Sequence, residues 1–231
     1  MPAETSTTAI PASGRREHKK HATRRELLAA GRRLFGERGL YESSIEDLSR
    51  HAGIAKGTLY GYFASKEELV EAVVTAGFSE LLTYSQQAVH GARTHDEVVA
   101  AVVEAHLSFF EENPDLMRVF HQVRGLPKFK RPEGVRLRGV LARHLAGVAR
   151  LLALHHPAPR PRQSELLEIA TLLFGAVSGI ASTRASLLVS SGRNGMRKDT
   201  VRALEALVTA FKPAAAGNPG QAARSQPRAR G

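Results

Sequence analysis

Apolar residues recur at helical spacing along most of the chain. In the first stripe, Leu27, Ala30, Gly31, Leu34 and Phe35 follow the i, i+3, i+4, i+7, i+8 pattern of one helix face. No later segment shows the convincing alternation of apolar and polar residues that is typical of a strand. The pattern predicts an all-α protein with about nine helices.

Prolines and glycines divide the second part of the chain into further helices. Residues 125–132 and the proline-rich residues 157–161 are predicted to be connectors. Between and around them, the apolar stripes predict six helices, at residues 65–87, 94–110, 114–124, 133–154, 163–190 and 196–211.

Two short helices are predicted between the first stripe and residue 65. A capping box can start the first of them in two ways, as Ser43 with Glu46 or as Ser44 with Asp47. Gly53 then lies in a tight turn, and a second short helix follows. A helix, a short helix, a glycine turn and another short helix make up the helix-turn-helix plan.

The second short helix has two chemically different faces. Leu59 and Phe63 are four residues apart and form an apolar face, whereas Lys56 and Tyr60 form a polar face. A helix this short is not stable alone, so one face must be packed. The hydroxyl and basic groups on the other face suit a DNA groove and its phosphates.

Seven short motifs follow one another in this region. The ordered series identifies a protein family more specifically than any one of the motifs does. They are Leu34-Phe35, Gly39, Ser44-Ile45, Ala52-Gly53-Ile54, Lys56-Gly57-Thr58-Leu59-Tyr60, Tyr62-Phe63 and Ser65-Lys66-Glu67. The series, within residues 23–69, resembles the DNA-binding domain of TetR-type transcriptional repressors.

The chain departs from that family pattern at two positions. Ala55 stands where the family often has a serine or threonine at the start of the recognition helix, and a missing cap costs about 1 kcal/mol. Gly61 stands where a larger side chain often reaches toward the groove. The operator sequence therefore cannot be carried over from a relative.

The resemblance implies a homodimer that binds a palindromic operator in double-stranded DNA and is released by a small-molecule effector. The expected division is a disordered basic arm at residues 1–20, a DNA-binding domain at 21–81, a helical ligand-sensing and dimerisation domain at 82–212 and a flexible tail at 213–231.

The resemblance and the helix faces together predict the DNA contacts. Phosphate-contacting residues are expected on the polar face and just after it, Gly57 permits close approach, and Thr58 is the candidate for a base contact. Ser44 is expected to cap its helix and touch a phosphate. The predicted DNA-binding residues are Ser44, Lys56, Gly57, Thr58, Tyr60, Tyr62 and Lys66.

A stripe of small residues on the penultimate helix has two interpretations. Gly175, Gly179 and Ser182 lie on one face, where another backbone could approach closely. The stripe serves either an internal helix crossing or a subunit interface. In TetR-type proteins the last two helices of each subunit usually pair, and the interface then also contains Leu204, Val208 and Phe211.

The resemblance also implies an effector pocket in the C-terminal domain. The candidate lining residues are apolar, which favours a lipophilic ligand, although the default interpretation of each is ordinary core. They are Leu107, Phe110, Leu116, Phe120, Phe174 and Ile180. Two alternatives stay open: a regulator switched by a protein partner, and an enzyme or carrier with an accessory DNA-binding module.

Charge and composition agree with a DNA-binding protein. The chain has 33 lysines and arginines against 22 acidic residues, a net charge of +11 and a pI near 10.5, which indicates a polyanionic partner. Part of the surplus lies in the predicted arm, at Arg15, Arg16, Lys19 and Lys20. That arm could reach along DNA or be a solvated tail.

The sequence gives little support to other chemistry. There is no cysteine, which excludes disulfides, zinc–thiolate sites and cysteine nucleophiles. The ten histidines are not arranged as converging metal ligands, and no Gly-x-Ser-x-Gly motif or phosphate-binding glycine loop occurs. We expect no catalytic residues, no metal and no cofactor.

No signal peptide or membrane span is expected. The N-terminus is polar, and the longest uncharged run, residues 169–183, is shorter than the ~20 residues that a span requires. These features predict a cytoplasmic protein.

Overall fold

The computed structural model describes residues 12–124, 132–186 and 193–210, which contain helices and turns but no strand. The all-α prediction is confirmed, with nine α-helices in these ranges and a 3-10 turn at Val89–Gly91. The helices are α1 Ala12–Arg38, α2 Ile45–Ala52, α3 Lys56–Tyr60, α4 Lys66–Ala88, α5 His95–Glu112, α6 Pro114–Arg124, α7 Pro132–Leu152, α8 Gln163–Ser186 and α9 Arg193–Ala210.

The first helix begins earlier than the sequence pattern indicates. It starts at Ala12, so residues 12–20, which were expected to be part of a disordered arm, are helical. Arginine, lysine, glutamate and alanine are good helix formers and dominate this stretch. Extending an existing helix also avoids the cost of nucleation. The rest of the predicted arm, residues 1–11, and the predicted tail at 213–231 lie outside the described residues.

Local hydrogen bonds explain where the middle helices start and stop. Ser44, Ser65 and Thr94 each stand before a helix and accept a hydrogen bond from the backbone N–H three residues on. Gly53 ends α2 with φ of 64°, a left-handed conformation that favours glycine. The sequence therefore fixes these boundaries locally.

The N-terminal helices share a core with the start of α4. Its largest side chains come from α1, α2, α3, the turn after α3 and the start of α4, and each has an exposed fraction of 1% or less. They are Leu27, Leu34, Phe35, Leu48, Leu59, Phe63 and Leu69. Helix α4 continues from this core into the C-terminal helices, where it packs on α5 and α7.

The C-terminal helices surround an aromatic cluster. Phe78 of α4 stacks on Phe120 of α6, with ring centroids 4.1 Å apart. Phe110 of α5 lies 6.2 Å from Phe120 and 6.1 Å from Phe174 of α8. Four helices therefore meet at one group of rings.

Helix α1 reaches the C-terminal part of the chain through α6. Gly36 lies so close to Asp115 that a Cβ at Gly36 would be 2.7 Å from Asp115 Cβ and 2.8 Å from its Cα. Gln122 Oε1 accepts a hydrogen bond of 2.5 Å from the backbone N–H of Leu40, and Gln122 Nε2 donates one of 3.3 Å to the Phe35 carbonyl. The end of α1 is thus tied to α6 at two points.

By length and composition alone, the segment Gln163–Arg184 could cross a membrane. The uncharged run within it, residues 169–183, is shorter than the ~20 residues that a span requires. A core helix can pass the same test, and 44% of this apolar window is buried inside the protein. Leu166, Ala170, Leu173 and Val177 are among its buried residues, so we describe α8 as a core helix.

Gly36→Val should destabilise the protein by about 1–3 kcal/mol, because the new methyl groups would force α1 away from Asp115. Denaturant unfolding of the full chain measures this change. Gly91→Val is the matched control, since Gly91 is exposed and a Cβ there meets no atom within 4 Å. Equal unfolding midpoints for the two variants would contradict the close approach of α1 and α6.

Candidate nucleic-acid interface

The capping of α2 resolves the two alternatives that the sequence left open. The Asp47 N–H donates to Ser44 Oγ at 3.0 Å, and the Ser44 N–H donates to an Asp47 carboxylate oxygen at 2.9 Å. Ser43 is buried instead, and its hydroxyl donates to the Gly39 carbonyl at 2.6 Å. The capping box is therefore Ser44 with Asp47, as one of the two alternatives proposed.

The turn between α2 and α3 is closed by its own hydrogen bonds. The N–H of Gly53 reaches the carbonyl of Arg50, and the N–H of Ile54 reaches that of Ser49 at 3.1 Å. The Ser49 hydroxyl donates back to the Ile54 carbonyl at 2.6 Å. These bonds hold the start of α3 at a fixed angle to α2.

Helix α3 is short and has no side-chain cap. Ala55 precedes it and makes no capping hydrogen bond, as the departure from the family pattern predicted. Gly61 ends it, with its N–H shared between the carbonyls of Gly57 and Thr58, while the N–H of Tyr62 donates to the Leu59 carbonyl. Packing rather than local hydrogen bonding must therefore hold this helix in place.

The two faces of α3 are as the sequence predicts. Leu59 is completely buried; Phe63, with an exposed fraction of 1%, is buried as expected but lies after the end of α3 rather than on it. On the other side, Lys56 and Thr58 are exposed, and Tyr60 has an exposed fraction of 46%. The short helix therefore presents an amine and two hydroxyls to the outside.

Lys56 already has a partner within the domain. Its ammonium forms an ion pair with Glu46 of α2 and lies 5.9 Å from the centroid of the Tyr60 ring. The hydrogen bond with Glu46 raises the pKa of Lys56, and the same bond lowers the pKa of Glu46. Since both groups are solvent-exposed, the pair can exchange with an external anion at small cost.

The hydroxyl of Ser44 is also engaged. Besides accepting the N–H of Asp47, it donates to the Asp47 carboxylate at 2.6 Å, and these bonds with Ser44 are the main cause of the lowered pKa of Asp47. The predicted capping role is confirmed. The predicted phosphate contact would require this hydroxyl to turn away from Asp47.

The remaining predicted contacts surround α3. Tyr62 is half-buried and packs against the core, while Lys66 is half-buried as the first residue of α4. Gly57 is exposed, and a Cβ there would meet no atom within 4 Å. The protein thus leaves open space at Gly57, which suits close approach by a ligand backbone.

Two features of this surface were missed by the sequence interpretation. The guanidinium of Arg24 lies 5.2 Å from the centroid of the Phe63 ring, so α1 brings a cation beside the end of α3. Tyr41 has an exposed fraction of 71% in the turn before α2. Neither follows from helix periodicity, because both depend on how α1 crosses the other two helices.

The glycines of the predicted interface stripe on α8 are half-buried. A Cβ at Gly175 or Gly179 would meet no atom of the described residues within 4 Å, so no helix crossing among those residues requires a glycine at either position. Ser182 is half-buried on the same helix. Leu172, with an exposed fraction of 48%, lies one turn before Gly175.

The predicted interface residues of α9 need a correction. Leu204 and Val208 have exposed fractions of 6% and 9%, because α9 packs this side on α5 within the same chain. These two side chains have little exposed surface left for contact with a partner subunit. Phe211 lies outside the described residues.

Five of the six predicted pocket residues come together. Leu107, Phe110, Leu116, Phe120 and Phe174 are buried with exposed fractions of 3% or less in one hydrophobic core. Ile180 is half-buried against that core. They form a continuous apolar cluster, and their role as pocket residues stays a prediction.

Comparison with known proteins agrees with this geometry. Residues 27–73 match the family model "Bacterial regulatory proteins, tetR family". The N-terminal domain belongs to the TetR family. Its matched range covers α2, α3 and parts of α1 and α4, which together contain the buried core and the exposed face described above.

Curated relatives match mainly over this TetR-type domain. The transcriptional regulator UidR of Escherichia coli strain K12 is 31% identical over 81 residues, which are 35% of this chain and 41% of UidR. The transcriptional repressor KstR2 of Mycobacterium tuberculosis strain H37Rv is 42% identical over 62 residues, 27% of this chain and 30% of KstR2. The chain thus matches less than half the length of these relatives, which are regulators rather than enzymes.

A solved structure extends the likeness to the C-terminal helices. The transcriptional regulator FadR from Bacillus subtilis, in complex with stearoyl-CoA, has a TM-score of 0.64 over 78% of this chain and 96% of FadR. The sequence identity is 16%, so the comparison shows a common fold for the TetR-type domain and the helices that follow it.

Leu59→Ala and Tyr60→Ala should differ strongly in their effect on stability. The first removes a completely buried side chain and should lower stability by roughly 2–5 kcal/mol. The second removes an exposed ring and should leave thermal unfolding nearly unchanged. Melting curves of the two variants decide this, and a stable Leu59→Ala protein beside an unfolded Tyr60→Ala protein would reverse the assigned faces.

Proposed function

We propose that the protein is a transcriptional repressor that binds a palindromic DNA operator as a homodimer and releases it on binding a lipophilic small molecule. The observation that carries this proposal is the exposed face of α3. Lys56, Thr58 and Tyr60 project from a helix whose other side is anchored by completely buried Leu59. Such an arrangement fits a recognition helix in a major groove.

The surrounding charge supports DNA as the partner. The chain carries a net charge of +11, and Lys19 and Lys20 are exposed on the extended α1. Each phosphate that a lysine or arginine neutralises releases counterions, which favours binding at low salt. The ion pair of Lys56 with Glu46 must open when that lysine contacts a phosphate.

The exposed side of α8 supports a homodimer. Gly175 and Gly179 leave room for a second backbone, and Leu167 and Leu172 beside them have exposed fractions of 39% and 48%. A helix with small residues in the middle and leucines at its edge fits the same helix from another copy. Two copies related by a twofold axis would present two recognition helices to a palindrome.

The aromatic cluster supports an effector site in the C-terminal helices. FadR, which shares the fold, binds stearoyl-CoA, and the cluster here is similarly suited to an apolar molecule. Phe120 of α6 belongs to the cluster, and α6 also holds α1. A ligand that shifts α6 would move the DNA-binding domain, with a coupling free energy of typically ~1–3 kcal/mol.

A regulator switched by a protein partner is the second candidate. The exposed side of α8 would then receive that partner instead of a second copy of this chain. Both candidates act on DNA, so we expect the protein in the cytoplasm.

The affinity for DNA should be sequence-specific and strongly salt-dependent. Fragments selected by the purified protein from a random pool should contain an inverted repeat. Binding to such a fragment should weaken steeply as salt rises, because several phosphate contacts release counterions. Equal affinity for the selected fragment and random DNA at every salt concentration would exclude the operator.

Gly179→Leu should produce monomers that have lost most of their operator affinity, because each half-site alone binds weakly. The fold itself has room for the leucine, since a Cβ at Gly179 meets no atom within 4 Å. Sedimentation and operator binding of the full chain measure both effects. Gly91→Leu, at another open glycine, is the control, and a dimeric Gly179→Leu protein with normal binding would place the interface elsewhere.

A further inference from the structure

Two histidines lie buried inside the aromatic cluster. His106 of α5 is completely buried and His144 of α7 has an exposed fraction of 3%. Their ring centroids are 5.7 Å apart. Phe78 lies 4.8 Å from His144, and Phe174 lies 5.5 Å from His144 and 6.5 Å from His106.

Three of the four ring nitrogens have no hydrogen-bond partner among the described residues. They are Nε2 of His106 and both nitrogens of His144. Leaving a buried polar atom unpaired costs about 1–3 kcal/mol, so such atoms are uncommon in folded proteins. Three of them on one pair of neighbouring rings are therefore available to form hydrogen bonds with a bound molecule.

The tautomer of His106 is determined by its fourth nitrogen. Nδ1 lies 2.8 Å from the Val102 carbonyl oxygen, and since a carbonyl can only accept, Nδ1 must carry the proton. Ser85 Oγ is 3.4 Å from the same nitrogen, but its own proton points to the Leu81 carbonyl at 2.9 Å. When His106 is neutral, its Nε2 is therefore a pure acceptor.

Both rings are neutral near pH 7. Burial lowers the pKa of His106 to about 4, opposed by the Val102 carbonyl. Burial, with a smaller contribution from His106, lowers the pKa of His144 to about 3. The Phe78 backbone opposes this shift, although neither nitrogen of His144 makes a hydrogen bond of normal geometry with the described residues. The pair thus offers an acceptor on His106 and one donor and one acceptor on His144.

We propose that His106 and His144 bind the hydroxyl group of an otherwise apolar effector, an inference that rests on the effector-released repressor proposed above. The hydroxyl would donate its hydrogen to Nε2 of His106 and accept one from a ring N–H of His144. A carboxylate, a thioester or an ether has no hydrogen to donate to His106. The assignment therefore favours alcohols and phenols over acids and acyl thioesters.

The same location connects the ligand to the DNA-binding domain. Phe78 contacts the His144 ring and is stacked on Phe120 of α6. A molecule that pushes Phe78 aside therefore disturbs α6, whose Gln122 and Asp115 contact α1. Ligand binding and the position of α1 are linked through one aromatic stack.

Two matched pairs of probes test the hydroxyl directly. The probes are 1-dodecanol with dodecyl methyl ether and 4-octylphenol with 4-octylanisole, and in each ether a methyl group replaces the hydroxyl hydrogen. Binding to the full chain is measured by calorimetry. In at least one pair the hydroxyl compound should bind about tenfold or more tightly than its ether, because a buried acceptor left unpaired penalises the ether.

Variants of the two histidines locate the effect. His106→Leu and His144→Leu should each reduce the preference for the hydroxyl compound to less than about twofold, while His90→Leu, at an exposed histidine, should keep it. His144→Leu removes no hydrogen bond made by the described residues, so it should unfold at the same temperature as the parent chain or a higher one. If either variant fails to fold, ring ¹⁵N chemical shifts of the parent chain, recorded with and without the phenol, replace it and should change at His106 Nε2.

Three results would overturn the proposal. They are equal affinities within both probe pairs, no binding by either hydroxyl compound, and a preference that survives both histidine substitutions. Operator binding without any ligand is measured in parallel. If it persists while the hydroxyl preference is absent, the DNA-binding function stands and only this assignment fails.

Discussion

The contact between α1 and α6 is the constraint on which the proposed regulation depends. A helix of the DNA-binding domain lies there against a helix of the C-terminal part, with only a glycine at the closest point, Gly36 beside Asp115. Gln122 pairs with two backbone groups at the end of α1, which opposes sliding of the two helices. Because packed interiors are stiff, a displacement of α6 is transmitted to α1 rather than absorbed.

Helix α3, the proposed recognition helix, has little local stabilisation of its own. Helix α3 has no side-chain cap, begins after Ala55 and ends at Gly61. It exists because Leu59 is completely buried and because the turn around Gly53 fixes its entry. Any change that loosens the core beneath α3 should therefore weaken DNA binding without touching an exposed contact, since the contacts keep their geometry only while Leu59 is packed.

The sequence predicts the parts of the structure that depend on local chemistry. Helix α2 starts at a Ser44 capping box and ends at Gly53, and both residues are recognisable in the sequence. The faces of α3 follow from the spacing of Lys56, Leu59 and Tyr60. Local hydrogen bonds, turn conformations and helical spacing all act over a few residues, so the sequence displays them directly.

Features that depend on long-range packing could not be predicted in the same way. Leu204 and Val208 form an apolar stripe that could pack on another subunit or on α5. Only the path of α9 in the folded chain shows that the stripe packs on α5. A histidine side chain usually has hydrogen-bond partners or faces solvent. His106 and His144 are exceptions, because three of their ring nitrogens are buried without a partner among the described residues. His144 lies at helical spacing from Val140 and Val148, which shows that it is buried but not what it faces.

The ion pair of Lys56 with Glu46 has a consequence for the proposed complex with DNA. There the Glu46 carboxylate competes with a phosphate for the Lys56 ammonium, so the proposed contact exchanges one anion for another. Where the groove fits the whole face of α3, we expect the other proposed contacts to outweigh that exchange. Where it does not fit, we expect the carboxylate to return to the lysine and the complex to dissociate sooner, so the ion pair would shorten the time spent on wrong sites.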